Sequence, residues 1–251
     1  MHATYEKLNG TFGVIWGRFQ ATAERDGVFA AIAMIMRMGM KVLMTPWYAM
    51  TFGKQTFRFR GKDYPYCCHW YNTTFDNERA IEVAIAEDLL RSARGRTLEV
   101  GNVLSHYIGG RWDILDKYEK GRGVINEDIV DFQPAEKYDL IISVSTLEHV
   151  GFDEKLRDPA KFTAAVRKLQ SILAPGGRIF FTIPVGYNPD AVATLESQPL
   201  VAKKYYFEHV AQDRWEEVSR ERGLSRQFAS PFSFANALII CLDGAWDESP
   251  K

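Results

Sequence analysis

The sequence predicts an α/β fold: a doubly wound, mostly parallel sheet preceded by a helical and aromatic N-terminal extension. Two observations support this prediction. Short apolar segments recur after residue 96, and a polar or acidic residue follows most of them. Helical patterns separate several of these segments, and strands that alternate with helices form parallel sheets with right-handed crossovers. Buried strands that end in polar residues are typical of a sheet whose ligand lies across the carboxyl ends.

Six strands are predicted from these apolar segments. They cover 97–100, 112–115, 123–126, 138–143, 178–184 and 235–242. Glu99 and Gly101 lie at the end of the first strand, Asp116 follows the second, and Asp128 follows the third. The Pro-Gly-Gly turn at 175–177 leads into the fifth strand. The three carboxylates are therefore expected along one edge of the sheet.

Three helices are predicted from apolar residues at helical spacing, at 77–94, 161–173 and 213–222. A hairpin is predicted at 53–66, where apolar and basic residues alternate before a Gly-Lys-Asp turn. These assignments divide the chain into an N-terminal extension, 1–76, and a cofactor-binding domain, 77–251.

Composition restricts the class of protein. The 251 residues are 46% hydrophobic and 25% charged, as in an ordinary soluble globular protein. A formal net charge of −1 gives no electrostatic reason to expect a nucleic-acid partner. The three cysteines match neither a disulfide framework nor a zinc site, and the acids are not clustered at metal-ligand spacing. We therefore expect a cytoplasmic protein without a metal site.

The apolar segment 28–50 leaves several interpretations open. Arg37 and Lys41 lie four residues apart on one helix face, and two central cations weigh against a membrane-spanning helix. A helix at a membrane surface, ending at Trp47 and Tyr48, is one interpretation, and it would place the protein at the periphery of the inner membrane. The other is a helix in the core or in a homodimer interface, where methionines fill irregular gaps. No cleavable signal peptide is expected.

The motifs between 97 and about 190 resemble a known family when they are taken in order. They are Glu99-x-Gly101, Asp116, Asp128, the Ser-x-Ser-x-Leu-Glu-His-Val segment at 143–150, and the Pro-Gly-Gly turn. This order resembles the class I S-adenosylmethionine-dependent methyltransferases, and in particular bacterial enzymes associated with cell-surface polysaccharide synthesis. The family carries one or two further glycines after Gly101, which the segment 102–107 lacks. A nicotinamide dinucleotide site would need three glycines there, and only one is present.

The resemblance implies a Rossmann-like methyltransferase fold with S-adenosylmethionine as cofactor. A carboxylate at Asp116 can accept two hydrogen bonds from ribose hydroxyls, and the resemblance places Asp128 near the adenine. Each acid has a simpler explanation, because a strand-end carboxylate also caps turns and helices. The residues assigned to cofactor binding are Glu99, Gly101, Asn102, Asp116, Asp128, Ser143 and Ser145.

His149 is the first candidate for a catalytic base, because an imidazole can take a proton near neutral pH and this one follows the fourth strand. Equally, His149 is explained as a residue that only orients its loop. His106 is the second candidate. The aromatic and polar segment 69–79 suits a sugar-like or nucleotide-like ligand. The residues assigned to the acceptor are His69, Tyr71, Asn72, Tyr107 and Tyr187.

Two functions follow from these assignments. The first is methyl transfer from S-adenosylmethionine to a small-molecule or glycan-linked acceptor, expected at oxygen. The second is a non-catalytic Rossmann-like binding module that has lost the glycines of its cofactor loop. A nucleic-acid substrate is disfavoured by the near-neutral charge.

Overall fold

The computed structural model describes residues 16, 19–20, 22–211 and 214–246. The chain divides between Tyr48 and Ala49 into two compact units. The hairpin that the sequence assigns to the N-terminal extension belongs to the second unit. A functional boundary at residue 76 stays a prediction.

Helix α1, Val28–Thr51, accounts for most of what is described of the first unit. Its length and composition would allow it to cross a membrane, with a mean hydropathy of 1.6 over its most apolar window. Core helices and signal sequences can meet the same criterion, but only 11% of this window is buried. In the part of the chain that the structure describes, α1 therefore does not lie in the core. Its exposed large apolar side chains are Val28, Phe29, Ile32, Met36, Met40, Val42, Leu43, Met44, Trp47 and Met50.

The predicted hairpin is present as strands β1, Thr56–Phe59, and β2, Lys62–Pro65. Arg60 and Gly61 form its two-residue turn, with φ values of 51° and 80°. Positive φ at both positions is the geometry that joins two twisted strands in a tight hairpin. Phe59 is buried and meets Tyr205 with ring centroids 5.1 Å apart, so the hairpin packs on the main sheet.

The main sheet has eight strands in the order β5-β4-β3-β6-β7-β10-β8-β9. Strands β3 to β7 run parallel, and β10 runs antiparallel to β7 and β8 on either side of it. Their bounds are β3 Thr97–Val100, β4 Asp113–Leu115, β5 Val124–Ile125, β6 Tyr138–Ser143, β7 Leu173–Pro184, β8 Lys203–Ala211, β9 Arg214–Val218 and β10 Ala237–Gly244. The predicted doubly wound, mostly parallel sheet is confirmed.

The order of the strands reverses direction between β3 and β6. From β3 the chain proceeds outward through β4 to β5, and it then returns to β6 on the other side of β3. In open α/β sheets a crevice forms outside the carboxyl ends of the strands at such a switch point, and ligands bind there. The loops that follow β3 and β6 are therefore the first place to look for a site.

Helices cover both faces of the sheet. Helix α2, Arg79–Ser92, bonds through Glu82 to Thr182 of β7. Helix α3, Ala160–Ser171, packs on the opposite face, because Phe162 belongs to the same buried cluster as Ile179 and Phe181. Two further helices are α4, Pro189–Ser197, and α5, Arg220–Leu224. Helices α2 and α3 agree with the predicted ones to within two residues at each end.

The helix predicted at 213–222 is wrong over most of its length. Residues Arg214–Val218 form β9, which pairs antiparallel with β8, and only α5 is helical. Trp215 is buried while its neighbours are exposed, the alternation of a half-covered edge strand. Abundant Glu and Arg favour a helix by propensity, but pairing with β8 and burial of Trp215 prevail. Residue 213 itself lies outside the described residues.

Candidate functional site

Glu99, at the end of β3, holds the following loop from the inside. It is buried, and its Oε1 accepts hydrogen bonds from the amides of Val103 and Leu104 at 2.7 and 2.5 Å. Its Oε2 accepts one from Trp112 Nε1 at 2.7 Å. Burial raises the pKa of Glu99, although these three hydrogen bonds act to lower it. The carboxylate thus acts on the predicted cofactor loop by fixing its backbone.

The loop after β3, which lacks the further glycines, is held by a short helical turn and by side-chain contacts. Leu104–His106 forms a 3-10 turn. Asn102 Nδ2 donates to Glu119 Oε1 at 2.6 Å, and His106 Nε2 lies 3.2 Å from the same oxygen. The loop is therefore attached to the segment after β4.

Three backbone amides donate hydrogen bonds to the carboxylate of Asp116. Its Oδ2 accepts from the Asn102 amide at 3.0 Å, and Oδ1 accepts from Tyr118 and Glu119 at 2.8 and 2.7 Å. A carboxylate offers about four acceptor positions. Three are taken by these amides, so one stays available for a ribose hydroxyl where the sequence predicted two.

Asp128 lies in a network of ion pairs beside β5. Its Oδ2 is 2.8 Å from Lys117 Nζ and 2.6 Å from Lys161 Nζ, and both ammonium groups also contact Glu154. Burial acts to raise the pKa of Asp128, but its hydrogen bonds to the two lysines prevail and the pKa is lowered. An adenine contact at Asp128 would have to share this oxygen with two cations.

The two serines after β6 use their hydroxyls within the protein. Ser143 Oγ donates to the Val100 carbonyl at 2.9 Å, which ties the end of β6 to β3. Ser145 Oγ donates to Glu82 Oε1 at 2.5 Å, and the Ser145 amide donates to Thr182 Oγ1 at 2.9 Å. Ser145 has φ of 37°, a left-handed conformation that these bonds stabilise.

A buried ionic cluster lies behind this loop, and sequence reasoning did not find it. Arg79 Nη1 is 2.7 Å from Glu82 Oε2. The other carboxylate oxygen of Glu82, Oε1, accepts hydrogen bonds from the hydroxyls of Ser145 and Thr182. From the sequence, Glu78 and Arg79 are predicted only to lie at the start of the helix at 77–94. The available signal was Glu82, a carboxylate between the apolar residues of a buried helix, since such an acid needs partners.

Two carboxyl groups of this cluster are shifted toward their neutral form. Burial, and then the charge of Glu82, raises the pKa of Glu78 to about 6. Burial also raises the pKa of Glu148 well above its ordinary value, with Glu82 adding to the effect and Arg79 opposing it. Perturbed acids in a crevice are candidates for functional groups.

His149, in the loop after β6, is held by a carboxylate. Its Nδ1 lies 2.5 Å from Asp153 Oδ2, and the Tyr187 hydroxyl donates to that same oxygen at 2.7 Å. The rings of His149 and Tyr187 meet edge to face, 4.8 Å apart. His149 Nε2 is 3.7 Å from Glu148 Oε1, and 44% of the His149 side chain is exposed. An imidazole oriented through Nδ1 presents Nε2 as a proton acceptor.

Four of the residues predicted to bind or activate the acceptor form one aromatic cluster. Tyr71 stacks on His106 at 4.6 Å and meets Tyr107 at 5.4 Å, while His69 meets Tyr107 at 5.2 Å. Burial lowers the pKa of His69. Tyr187 belongs instead with His149, so the structure divides the predicted acceptor residues into two groups.

Asn72 contributes through its backbone, and its side chain acts on the Tyr107 hydroxyl. Its φ is 53°, and its carbonyl accepts from Asn77 Nδ2 at 2.8 Å. Among the described residues no group of three or more His, Cys, Asp or Glu is arranged to hold a metal ion.

No family model matches the chain, and no curated protein matches it. Solved structures do. The chain is similar to the N-methyltransferase NodS from Bradyrhizobium japonicum WM9 in complex with S-adenosylhomocysteine, with 15% identity over 66% of this chain and 85% of that one, at a TM-score of 0.43.

Two further similar structures are also methyltransferases. One is an amino pentose methyltransferase from Micromonospora echinaspora bound to S-adenosylmethionine, with 21% identity over 40% of this chain and 48% of that one, at a TM-score of 0.30. The other is a glycopeptide N-methyltransferase complexed with sinefungin, with 12% identity, coverages of 64% and 85%, and a TM-score of 0.32.

Proposed function

We propose that this chain is an S-adenosylmethionine-dependent methyltransferase that modifies a hydroxyl group of a small-molecule or glycan-linked acceptor. The observation that carries the proposal is the His149–Asp153 pair beside the switch point, because a hydroxyl acceptor must lose a proton as it is methylated. The order of the motifs along the chain supports the choice of reaction.

The cofactor would lie across the carboxyl ends of β3 and β4. The remaining acceptor position of Asp116 suits a ribose hydroxyl, and the loop 102–107 would border the ligand. When bound, S-adenosylmethionine supplies an activated methyl group.

His149 would accept the proton from the acceptor hydroxyl at Nε2. Asp153 holds the ring through Nδ1, stabilises the charged imidazole, and is itself fixed by Tyr187. Glu148 Oε1, 3.7 Å from Nε2, adds to that stabilisation when it is ionised. Such an arrangement contributes the orientation that general-base catalysis needs.

The aromatic cluster of His69, Tyr71, His106 and Tyr107 would receive a glycan or nucleotide part of the acceptor. Trp70 borders it and is half exposed, with its ring 5.5 Å from His69. Sugar and base rings pack against such aromatic faces, and polar edges select their orientation.

We further propose that α1 places the enzyme at the inner membrane surface. Ten large apolar side chains of α1 are exposed, and Arg37 and Lys41 suit the anionic lipids of that surface. A lipid-linked glycan would then be within reach of a cytoplasmic enzyme. Self-association through the same helix is the competing arrangement.

Calorimetry with S-adenosylhomocysteine is the direct test of the cofactor. Wild type is expected to bind it. Asp116→Ala should bind it at least tenfold more weakly, because the variant loses the hydrogen bond to the ribose and also loosens the loop that Asp116 holds. A screen of nucleotide sugars and glycan primers with methyl-labelled cofactor would then identify the acceptor. Loss of transfer in His149→Gln with unchanged cofactor binding would assign the base.

A second function, a non-catalytic binding module, is favoured by one observation. Groups predicted to contact the cofactor are already bonded within the protein, as in the contacts of Asn102 with Glu119 and of Asp128 with two lysines. Absence of any binding of S-adenosylmethionine or S-adenosylhomocysteine by wild type would support this alternative and end the first proposal.

A further inference from the structure

Two polar atoms at the switch point are buried, and one of them, on Glu148, lacks a partner. Within the part of the chain that the structure describes, Glu148 Oε2 is buried and forms no hydrogen bond, and the Tyr107 hydroxyl is buried with the Asn72 side chain as its neighbour. Tyr107 lies in the loop after β3 and Glu148 in the loop after β6, the strands that flank the reversal of the sheet. A buried polar atom without a partner is energetically costly, so a ligand group that bonds to it gains affinity.

Glu148 also belongs to a cluster in which carboxyl groups outnumber cations. Glu78, Glu82 and Glu148 are 8%, 0% and 1% exposed, and all three act electrostatically on the same guanidinium, that of Arg79. Arg79 is bonded to Glu82, which leaves the charge of Glu148 unbalanced when it is ionised. One more cation would therefore balance the charge of an ionised Glu148.

We propose that the crevice binds a cationic group of a ligand against Glu148, with the Tyr107 hydroxyl as a second contact. The inference rests on the proposed function, which offers two sources of such a cation: the sulfonium of S-adenosylmethionine, or an ammonium group on the acceptor. The sulfonium carries a positive charge, whereas the sulfur of S-adenosylhomocysteine is neutral. A carboxylate at this place thus favours the methyl donor over the spent product.

A proton and the ligand cation compete for Glu148. Because burial and neighbouring acids raise its pKa, the carboxyl holds its proton more firmly in the empty crevice than in water. Binding of a cation then releases that proton, and affinity for a cationic ligand rises with pH. The charged and titratable groups that act on or lie beside Glu148 are Glu78, Arg79, Glu82, His149 and Tyr187.

The test compares sinefungin, which carries an ammonium group in place of the methyl, with S-adenosylhomocysteine by calorimetry. Glu148→Gln is expected to weaken sinefungin about tenfold or more, the loss of one hydrogen bond to a charged group, and to leave S-adenosylhomocysteine within about twofold. Glu217→Gln is the matched control, because burial also raises the pKa of Glu217, on β9. It should change neither affinity.

Wild type alone provides a second measurement that does not depend on the folding of a variant. Its preference for sinefungin over S-adenosylhomocysteine should increase as the pH rises from 5 to 8. A parallel titration of the protein saturated with S-adenosylhomocysteine, followed by NMR, compares glucosamine with glucose. A preference for glucosamine that Glu148→Gln removes, with the sinefungin ratio unchanged, assigns the cation to the acceptor.

The outcomes separate this inference from the proposed function. If both cofactor analogues bind but neither the pH series, the variant nor the amine comparison shows a charge preference, the inference is overturned and the methyltransferase proposal stands. If wild type binds neither analogue, both are overturned.

Discussion

Gly101 and Thr146 bring the loops after β3 and β6 into direct contact. A Cβ atom on residue 101 would overlap Thr146 Oγ1, because the two would lie closer than non-bonded atoms can approach. Gly101 also has φ of 90°, a conformation that side chains disfavour. The glycine that the sequence associates with a cofactor is thus already required by the packing of the chain on itself.

Gly101→Ala should lower the free energy of unfolding by about 2–4 kcal/mol, from left-handed backbone strain together with the clash. Gly123→Ala is the matched control, because Gly123 has φ of 85° and open space where a Cβ would lie. It should cost only about 1–2 kcal/mol. Urea unfolding followed by circular dichroism measures both. Equal losses in the two variants would show that the contact with Thr146 is unimportant.

Glu82→Ala should strongly destabilise the protein, because it leaves Arg79 and two hydroxyls buried without their partner. We expect a loss of about 3–5 kcal/mol, the usual cost of breaking a buried ion pair. Glu87 pairs with Arg91 on the exposed side of the same helix. Glu87→Ala should cost under about 1 kcal/mol in the same unfolding experiment. A comparable loss in both variants would contradict the central position given to Glu82.

Asp153→Asn should reduce methyl transfer about 10²–10⁴-fold without changing the affinity for S-adenosylhomocysteine. The amide no longer stabilises a charged His149 ring, and general-base catalysis is typically of this size. Asp190→Asn, which removes a surface partner of Arg157, is the control and should retain activity. Single-turnover kinetics and calorimetry give the two readouts. Full activity of Asp153→Asn would exclude His149 as the base.

The raised pKa of Glu78 predicts a specific dependence of stability on pH. The carboxyl prefers its neutral form when folded, with a pKa of about 6 against 4.5 in the unfolded chain. Its contribution is therefore fully present below pH 4.5 and is lost as the pH rises through 6, a change of about 2 kcal/mol. Unfolding of wild type and Glu78→Gln should diverge over that range. Parallel pH profiles would show that Glu78 is ionised without penalty.

The exposed side of α1 should bind membranes. Phe29 and Leu43 are 89% and 75% exposed, and replacing both by Ser should reduce flotation with anionic vesicles at least tenfold, since each buried side chain contributes about 1.5–3 kcal/mol. Leu156→Ser removes a similarly exposed leucine outside α1 and should have no effect. A wild type that stays in solution as a dimer, and becomes a monomer in the double variant, would assign α1 to self-association.

Strand β6 and strand β9 illustrate what the sequence could and could not predict. The apolar run at 138–143 is long enough, and flanked clearly enough, that both of its ends were predicted to the residue. The segment 214–218 has helical composition, and only its pairing with β8 makes it a strand. Strand β8 was not predicted at all.

The candidate site divides in the same way. The order of Glu99, Asp116 and Asp128 along the chain predicted that their strand ends would share one edge, because parallel strands impose it. What each carboxylate bonds to was decided by the loops. Trp112, Tyr118 and Lys161 satisfy them from positions that no local pattern relates to them.

The sequence by itself determined the parallel strands of the sheet, the edge at which acidic residues follow them and the resemblance to a family, since these follow from local periodicity and the spacing of motifs. Only the tertiary structure decided that Glu82 and Glu148 share a buried cluster with Arg79 and that Asp153 orients His149. Such contacts depend on side chains from different segments meeting in one low-dielectric space, where the pairing of charges is set by three-dimensional distance.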